Sequence, residues 1–199
     1  MTTRRGFIQA AGVACVATAG ANPNFASATS PSTLAFHRVL TDSSMPAGRV
    51  FAAEAARLGA RVHDTRGDPS GVYLETLLPA WKSELAPIAG LTNYASMFAL
   101  SLLAEGAGLR VIYRGHHVAE GGGFRHQLFG PAAITGALVT PALDARPAEA
   151  WAGSIARVVM NWPLSEVTIR SSRSNIAVAR KVTVQHGDLV SWVMAPVRA

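Results

Sequence analysis

The chain of 199 residues contains a single cysteine, Cys15. One thiol cannot form an internal disulfide, and it cannot supply the paired thiolates of a zinc ribbon or an iron–sulfur cluster. Because no cysteine follows Cys15, the rest of the chain also lacks a thiol nucleophile. These absences exclude thiol chemistry from the body of the protein.

Charged and aromatic residues are also scarce. They make up 15% and 7% of the chain, and Lys and Arg form no block. A nucleic-acid-binding surface needs clustered cations, so we expect no nucleic-acid partner. The formal net charge of +6 still suits a small anionic ligand. Apolar residues reach 49%, and no low-complexity tract is present, which predicts a folded body.

Several familiar catalytic motifs are missing. The chain has no Gly-x-Ser-x-Gly elbow, no Walker A sequence and no GxGxxG after its first predicted strand. The triplet Gly121-Gly122-Gly123 is too generic to replace the last of these. We therefore expect neither a serine hydrolase, nor a nucleotide hydrolase, nor an NAD-dependent dehydrogenase.

The N-terminal segment resembles a twin-arginine signal peptide. A Thr precedes paired arginines and a Phe–Ile pair, and a small-residue cleavage site follows; the residues that carry this pattern are Arg4, Arg5, Phe7, Ala26 and Ala28. The resemblance implies that residues 1–28 are a signal, that the Tat translocase and signal peptidase are partners during export, and that the mature protein is periplasmic. The apolar run over 7–21 is shorter than the roughly 20 residues of a spanning helix, so we expect no permanent membrane anchor.

Residues 29–35 are interpreted as a linker and 36–199 as a single α/β domain. Strands predicted at 34–40, 60–63, 87–91 and 109–113 alternate with helical patterns. This alternation predicts a mostly parallel sheet with helices on both faces, a three-layer arrangement of the flavodoxin or Rossmann kind. Short strands at 167–169, 182–184 and 189–193 are expected to extend it with antiparallel pairing or to form a small appended layer.

Local signals set several boundaries inside the domain. Pro46 suits the first turn of a helix that ends at Gly59, and Pro79 predicts that the second helix is kinked or restarts. Asn93 is a predicted N-cap for a helix over 94–104, which is apolar almost all round and is expected to be buried. The segment from Arg114 to Gly130 is interpreted as a Gly-rich loop.

Polar residues follow each of the four predicted parallel strands. Because ligands bind at the carboxyl ends of such strands, these residues are candidates for a ligand or catalytic cleft. The candidates are Asp42, Ser43 and Ser44, then His63, Asp64, Arg66 and Asp68, then Thr92 and Asn93, and finally Arg114, His116 and His117. Short polar side chains in these positions also serve as turn formers and helix caps, and that alternative stays open.

The segment around His116, His117 and His126 is also a weak candidate for a metal site. Imidazoles and the nearby Glu120 are ligands for zinc, copper or non-haem iron, yet the spacing matches no standard site. Adjacent His116 and His117 cannot point the same way in an extended strand. Metal-free ligand contacts and a mobile surface loop are the alternatives, and the sequence identifies no cofactor.

These residues predict a periplasmic protein that binds a small polar or anionic ligand and acts as an accessory of a redox or catabolic system. One alternative is an enzyme in which Asp64 or His116 is the general acid or base and Arg66 or Arg114 holds an anion. Another is a non-catalytic subunit exported together with a protein partner. The stretches 88–92 and 114–116 resemble small Tat-exported proteobacterial proteins of unassigned activity, which implies no particular chemistry.

Overall fold

The structure, a computed structural model, describes residues 33–120, 123–139, 149–167, 174–177 and 188–196. The signal residues Arg4, Arg5, Phe7, Ala26 and Ala28 lie outside these ranges, so export stays a prediction. The strand predicted at 182–184 and most of the one at 167–169 lie outside them as well. Leu34, at the end of the predicted linker, is buried, and its N–H donates to the carbonyl of Trp162.

The described residues form one seven-stranded sheet. Its strands, in chain order, are β1 (Arg38–Thr41), β2 (Val62–Asp64), β3 (Ile88–Asn93), β4 (Leu109–Glu120), β5 (Gly123–Gly130), β6 (Ser174–Ala177) and β7 (Leu189–Pro196). Their order across the sheet is β2-β1-β3-β7-β4-β5-β6. The predicted α/β class is confirmed. The prediction of a mostly parallel sheet is wrong, because only β1 pairs in parallel, with β2 and β3, and the other pairings are antiparallel.

The position of β7 explains this difference. The last strand enters between β3 and β4 and separates them, rather than extending the sheet at its edge. All but the last residue of β7 are buried, and apart from Ser191 and Pro196 they form the continuous apolar run that suits a central strand. Spacing along the chain carries no information about such an insertion, so the sequence predicted the strand without its place.

The Gly-rich loop predicted from Arg114 to Gly130 is instead most of a long hairpin. β4 pairs antiparallel with β5 from Arg114 opposite Phe129 to Glu120 opposite Gly123. The glycines that suggested a loop include Gly115, where a side chain would collide with neighbouring strands. Glycine here marks close packing rather than flexibility.

Helices cover both faces of the sheet. They are α1 (Pro46–Arg57), α2 (Ser70–Val72), a π-helical turn (Tyr73–Leu77), α3 (Leu78–Ser83), α4 (Tyr94–Ala107), α5 (Ala132–Val139), α6 (Ala150–Met160) and a 3₁₀ turn (Leu164–Val167). The predicted start of α1 at Pro46 is confirmed, and Gly59 follows its end with a positive φ. The π-helical turn precedes Pro79 and separates the two helical pieces, which confirms the predicted break.

Each face of the sheet has its own apolar core. Face A lies under α1, α5 and α6, and its core includes Val39, Leu91, Val193, Phe51 and Ile155. Face B lies under α2, α3 and α4, and its core includes Leu40, Ile88, Trp192, Trp81 and Leu100. None of the helices in the described ranges combines the length and the apolar composition that a bilayer-spanning segment requires.

Candidate functional site

The polar segments that follow the strands lie along one edge of the sheet. β1, β2 and β3 are parallel, so the turns after them begin at the same edge. β4 runs in that direction too, because β7 is antiparallel to both β3 and β4. His116 and His117 therefore lie level with Thr92 and Asn93, with β7 between them.

Asp64 anchors the turn after β1. Its carboxylate accepts hydrogen bonds from the Ser43 backbone N–H at 2.9 Å, from the Ser43 hydroxyl and from the Arg66 N–H at 3.2 Å. Burial alone would raise the pKa of Asp64, but the hydrogen bonds from Ser43 and Arg66 outweigh it, and the pKa lies below its usual value. An ionised carboxylate with these partners is poorly suited to act as a general acid or base at neutral pH.

Three other candidates also accept backbone hydrogen bonds, Asp42 and Asp68 within turns and Asn93 as a helix cap. The Asp42 carboxylate accepts from the Ser44 N–H at 3.1 Å, and that of Asp68 accepts from the Ser70 N–H at 2.8 Å. Asn93 caps α4 by accepting from the Ser96 N–H at 2.8 Å, as predicted. These contacts favour the alternative interpretation, in which the side chains hold turns and helix ends in place.

Thr92 and Arg66 differ sharply in exposure. The Thr92 hydroxyl is buried, accepts from the Trp192 indole N–H and donates to the Asn93 carbonyl, each at 3.1 Å. Arg66 is exposed and lies 3.6 Å from the Asp64 carboxylate. The next residue, Gly67, accepts from the Ser96 hydroxyl at 2.9 Å, which ties this turn to the start of α4.

His117 points into face A and belongs to a buried polar chain. Its Nδ1 lies 2.7 Å from Nδ1 of His126, and its Nε2 lies 2.8 Å from the Ser191 hydroxyl, which is 3.0 Å from the Tyr113 hydroxyl. The Trp151 ring covers both imidazoles at 4.4 and 5.0 Å between centroids. Burial, followed by the neighbouring His126, holds the pKa of His117 well below its usual value, so this imidazole is neutral.

This buried chain has the atoms of a nucleophile and its base but no access for a substrate. The side chains of the four residues are at most 4% exposed, and Ser191 is fully buried in the central strand. Sequence reasoning missed Ser191, Tyr113 and Trp151. One signal was available, because a serine inside the apolar run of β7 requires a buried hydrogen-bond partner.

Arg114 and His116 point to the opposite face and form what we call the cation patch, together with Phe129 and Tyr94. The Arg114 guanidinium carbon lies 5.1 Å from the Phe129 ring centre. The His116 ring lies 5.4 Å from the Phe129 ring and 6.5 Å from the Tyr94 ring. His116 is only 8% exposed, yet neither of its nitrogens has a hydrogen-bond partner among the described residues, and the same holds for the buried Nε of Arg114.

Burial, followed by the positive charge of the neighbouring Arg114, lowers the pKa of His116 to about 4. The negative charge of Asp188 raises the pKa of His116.

No family model, curated protein or solved structure matches the chain. The function proposed for it therefore rests on the geometry of these side chains.

The three histidines considered as metal ligands do not converge. His117 and His126 meet on face A, whereas His116 lies on face B beside Phe129, as the alternation of side chains along a strand requires. In the ranges that the structure describes, no three His, Cys, Asp or Glu side chains are placed to hold a metal ion. The described side chains therefore do not bring these three histidines together as one set of metal ligands.

Proposed function

We propose that the chain is a periplasmic protein that binds a small anionic ligand at the cation patch. The observation that carries this proposal is the burial of Arg114 Nε and both His116 nitrogens without a partner. A buried polar group without a hydrogen bond costs on the order of 1–3 kcal/mol, and an anion supplies the missing acceptor. A guanidinium such as that of Arg114 matches the charge and the planar geometry of a carboxylate or phosphate.

The surrounding rings support a ligand that is small and partly apolar. Phe129 lies beside both Arg114 and His116, and Tyr94 borders His116 from the first turn of α4. Ligand sites commonly combine such an apolar wall with a few polar groups that orient the ligand. A carboxylate attached to a short carbon skeleton fits this combination.

Binding is favoured over acid–base catalysis because three carboxylates along the same edge already accept hydrogen bonds. Asp42, Asp64 and Asp68 each accept hydrogen bonds from nearby turns. None of them is paired with His116 or Arg114 within the described ranges. These three carboxylates are therefore not free to serve as the acid or base partner that the enzyme alternative requires.

Replacing Arg114 by Gln should weaken anion binding about 10- to 100-fold, because a charged hydrogen bond is lost. Isothermal titration calorimetry at pH 6 with inorganic phosphate, acetate, succinate and benzoate measures the effect. The matched control is Arg110→Gln on the same strand, which removes the same charge from an exposed arginine paired with Glu105. Equal losses in both variants, or no anion bound more tightly than roughly 1 mM, would refute the proposal.

Export by the twin-arginine route is part of the proposal and has a separate test. Replacing Arg4 and Arg5 together by Lys keeps the positive charge but removes the arginine pair. We expect the precursor to accumulate in the cytoplasm of a bacterial host, as seen by fractionation and immunoblotting. Unchanged delivery of the double variant to the periplasm would contradict this route.

A further inference from the structure

The cation patch requires more of its ligand than a negative charge. Burial and the positive charge of Arg114 keep the pKa of His116 low, so this imidazole is neutral. A neutral imidazole carries one N–H donor and one unprotonated nitrogen, which is an acceptor. Both nitrogens of His116 are buried, and neither has a hydrogen-bond partner among the described residues. The patch therefore contains an unused acceptor beside its unused donors.

An anion alone leaves this acceptor without a partner. The oxygens of a carboxylate accept hydrogen bonds, so they suit the Nε–H of Arg114 and the N–H of His116. They offer no hydrogen to the second nitrogen of His116, and a buried acceptor without a donor weakens the complex. A ligand that satisfies the whole patch must carry a hydrogen-bond donor as well as a negative charge.

We propose that the ligand is a small hydroxy acid, whose carboxylate binds Arg114 and whose hydroxyl donates to the unprotonated nitrogen of His116. This inference rests on the function proposed above and specifies the class of ligand. A hydroxyl is the smallest uncharged group that donates a hydrogen bond and also accepts one. An ammonium group is a less suitable donor, because it would carry a charge of the same sign as the Arg114 guanidinium into the same patch.

Gln127 is placed to contact the same hydroxyl. It lies directly opposite His116 in the pairing of β4 with β5, and such pairs project from the same face of a sheet with Cβ atoms about 5 Å apart. Gln127 is half-buried, and its side-chain amide makes no hydrogen bond to another described residue. An amide both donates and accepts, as a hydroxyl requires. Sequence reasoning missed Gln127 because it falls in the segment interpreted as a loop.

The aromatic side of the patch favours an organic acid over inorganic phosphate. The Phe129 ring centre lies 5.1 Å from the Arg114 guanidinium carbon and 5.4 Å from the centre of the His116 ring. A ligand that binds both side chains therefore lies against Phe129. A carbon skeleton gains free energy by burying apolar surface on this ring, whereas phosphate has no apolar surface to bury.

Asp188 argues against a second carboxylate at His116. Its negative charge raises the pKa of His116, which shows that its field reaches this imidazole. A second ligand carboxylate at the same place would be repelled by Asp188 and, when ionised, would have no hydrogen to donate. A monocarboxylate with an uncharged donor avoids both penalties.

The patch borders solvent beside α4. Tyr94 is half-buried and borders His116, and its ring stacks on Phe98, which is 49% exposed. The burial predicted for a helix that is apolar all round is therefore wrong on this side of α4, where Leu102 is exposed as well. The wall of the patch formed by Tyr94 is thus in contact with the solution that carries the ligand.

Isothermal titration calorimetry of the full chain at pH 7 compares butyrate with 2-, 3- and 4-hydroxybutyrate. At least one hydroxybutyrate should bind roughly 5 to 20 times more tightly than butyrate, because its hydroxyl donates to the unused acceptor. The matched ligand controls are 2-oxobutyrate and 3-oxobutyrate. Each keeps an oxygen at the same carbon but has no hydrogen on it to donate, so both should bind no more tightly than butyrate.

The ligand series separates failure of this inference from failure of anion binding. If butyrate binds as tightly as every hydroxybutyrate, and Arg114→Gln weakens that binding, the hydroxy acid is wrong while the anion site stands. The hydroxy acid is also wrong if an oxo acid, 2-aminobutyrate, succinate or inorganic phosphate binds more tightly than every hydroxybutyrate. If none of these anions binds, the proposed function fails and this inference fails with it.

His116→Leu tests the contact with the hydroxyl. The ratio of the butyrate and hydroxybutyrate dissociation constants should fall to about 1, because the acceptor is gone, and residual butyrate binding shows that the variant is folded. The matched control is His37→Leu, since His37 precedes β1 at the opposite end of that strand from the polar turns. It should keep the wild-type ratio. A His116→Leu variant with the wild-type ratio would overturn the contact.

Discussion

Acidification from pH 7 to pH 5 should lower the free energy of unfolding by roughly 4 kcal/mol. The reason is that His117 and His116 are held neutral in the folded state. Burial is the largest cause of the lowered pKa of each side chain, and the value for His116 is about 4. In the unfolded chain both imidazoles titrate near their ordinary pKa of about 6.5.

The direction follows from proton uptake. Below about pH 6.5 the unfolded chain binds protons that the folded chain does not, so the stability present above pH 6.5 is lost as the pH falls. Each such histidine contributes about 1.4 kcal/mol per pH unit until its folded pKa is reached. The pKa values of Asp64 and Asp68 are lowered in the folded state. Protonation of these two carboxylates therefore reduces the stability only at pH values more acidic than this range.

Urea unfolding between pH 7.5 and pH 5 measures this loss. His116→Gln removes one titrating group outside the buried chain and should reduce the slope by about half. A free energy of unfolding that stays constant over this range would contradict the neutral state assigned to the two histidines. An undiminished slope in His116→Gln would contradict the part assigned to His116.

Gly115→Ala should cost about 2–4 kcal/mol of folding stability. A Cβ at this position would lie 2.6 Å from the Ser191 hydroxyl, 2.7 Å from the Tyr113 hydroxyl and 3.0 Å from Leu128. All three neighbours are buried and cannot move aside freely. Shifting Ser191 would also break its hydrogen bond with His117, leaving a buried nitrogen without a partner.

The matched control for Gly115→Ala is Gly136→Ala. Gly136 lies inside α5, and a Cβ there would meet nothing within 4 Å. Alanine is the better helix former by roughly 0.5–1 kcal/mol, so this control should be neutral or stabilising. Thermal and urea unfolding of the two variants separate the effects. A Gly115→Ala protein as stable as the wild type would show that the hydroxyl–imidazole chain is not tightly packed.

Features encoded by adjacent residues could be predicted from the sequence. Pro46 begins α1, Pro79 coincides with a break, and Asn93 caps α4, because each effect depends on backbone chemistry within a few residues. The opposite orientations of His116 and His117 were predictable for the same reason. In each case a local rule needs no knowledge of the rest of the fold.

Features that depend on distant pairing could not be predicted. The insertion of β7 between β3 and β4 joins segments that are about a hundred residues apart, and no local pattern specifies it. The hairpin of β4 and β5 was hidden because glycine favours both loops and close strand packing.

The candidate site shows the same division. The alignment of the polar segments at one edge follows from the directions of the four strands, and β4 kept its direction even though β7 separates it from β3. The sequence could not distinguish an aspartate that contacts a ligand from one that caps a turn, because both roles favour the same residue at the same place. The structure shows the difference through side-chain contacts. Asp64 accepts a hydrogen bond from Ser43, whereas neither nitrogen of His116 has a hydrogen-bond partner among the described residues.

The most direct test of anion binding at the cation patch is the NMR titration of the His116 imidazole, assigned by comparison with His116→Gln. Without an anion, this imidazole should remain neutral down to about pH 4. Saturation with the tightest-binding anion of the calorimetric panel should raise its pKa, because a nearby negative charge favours the protonated form, and binding should strengthen as the pH falls. An unchanged His116 titration in the presence of saturating anion would contradict the proposed site.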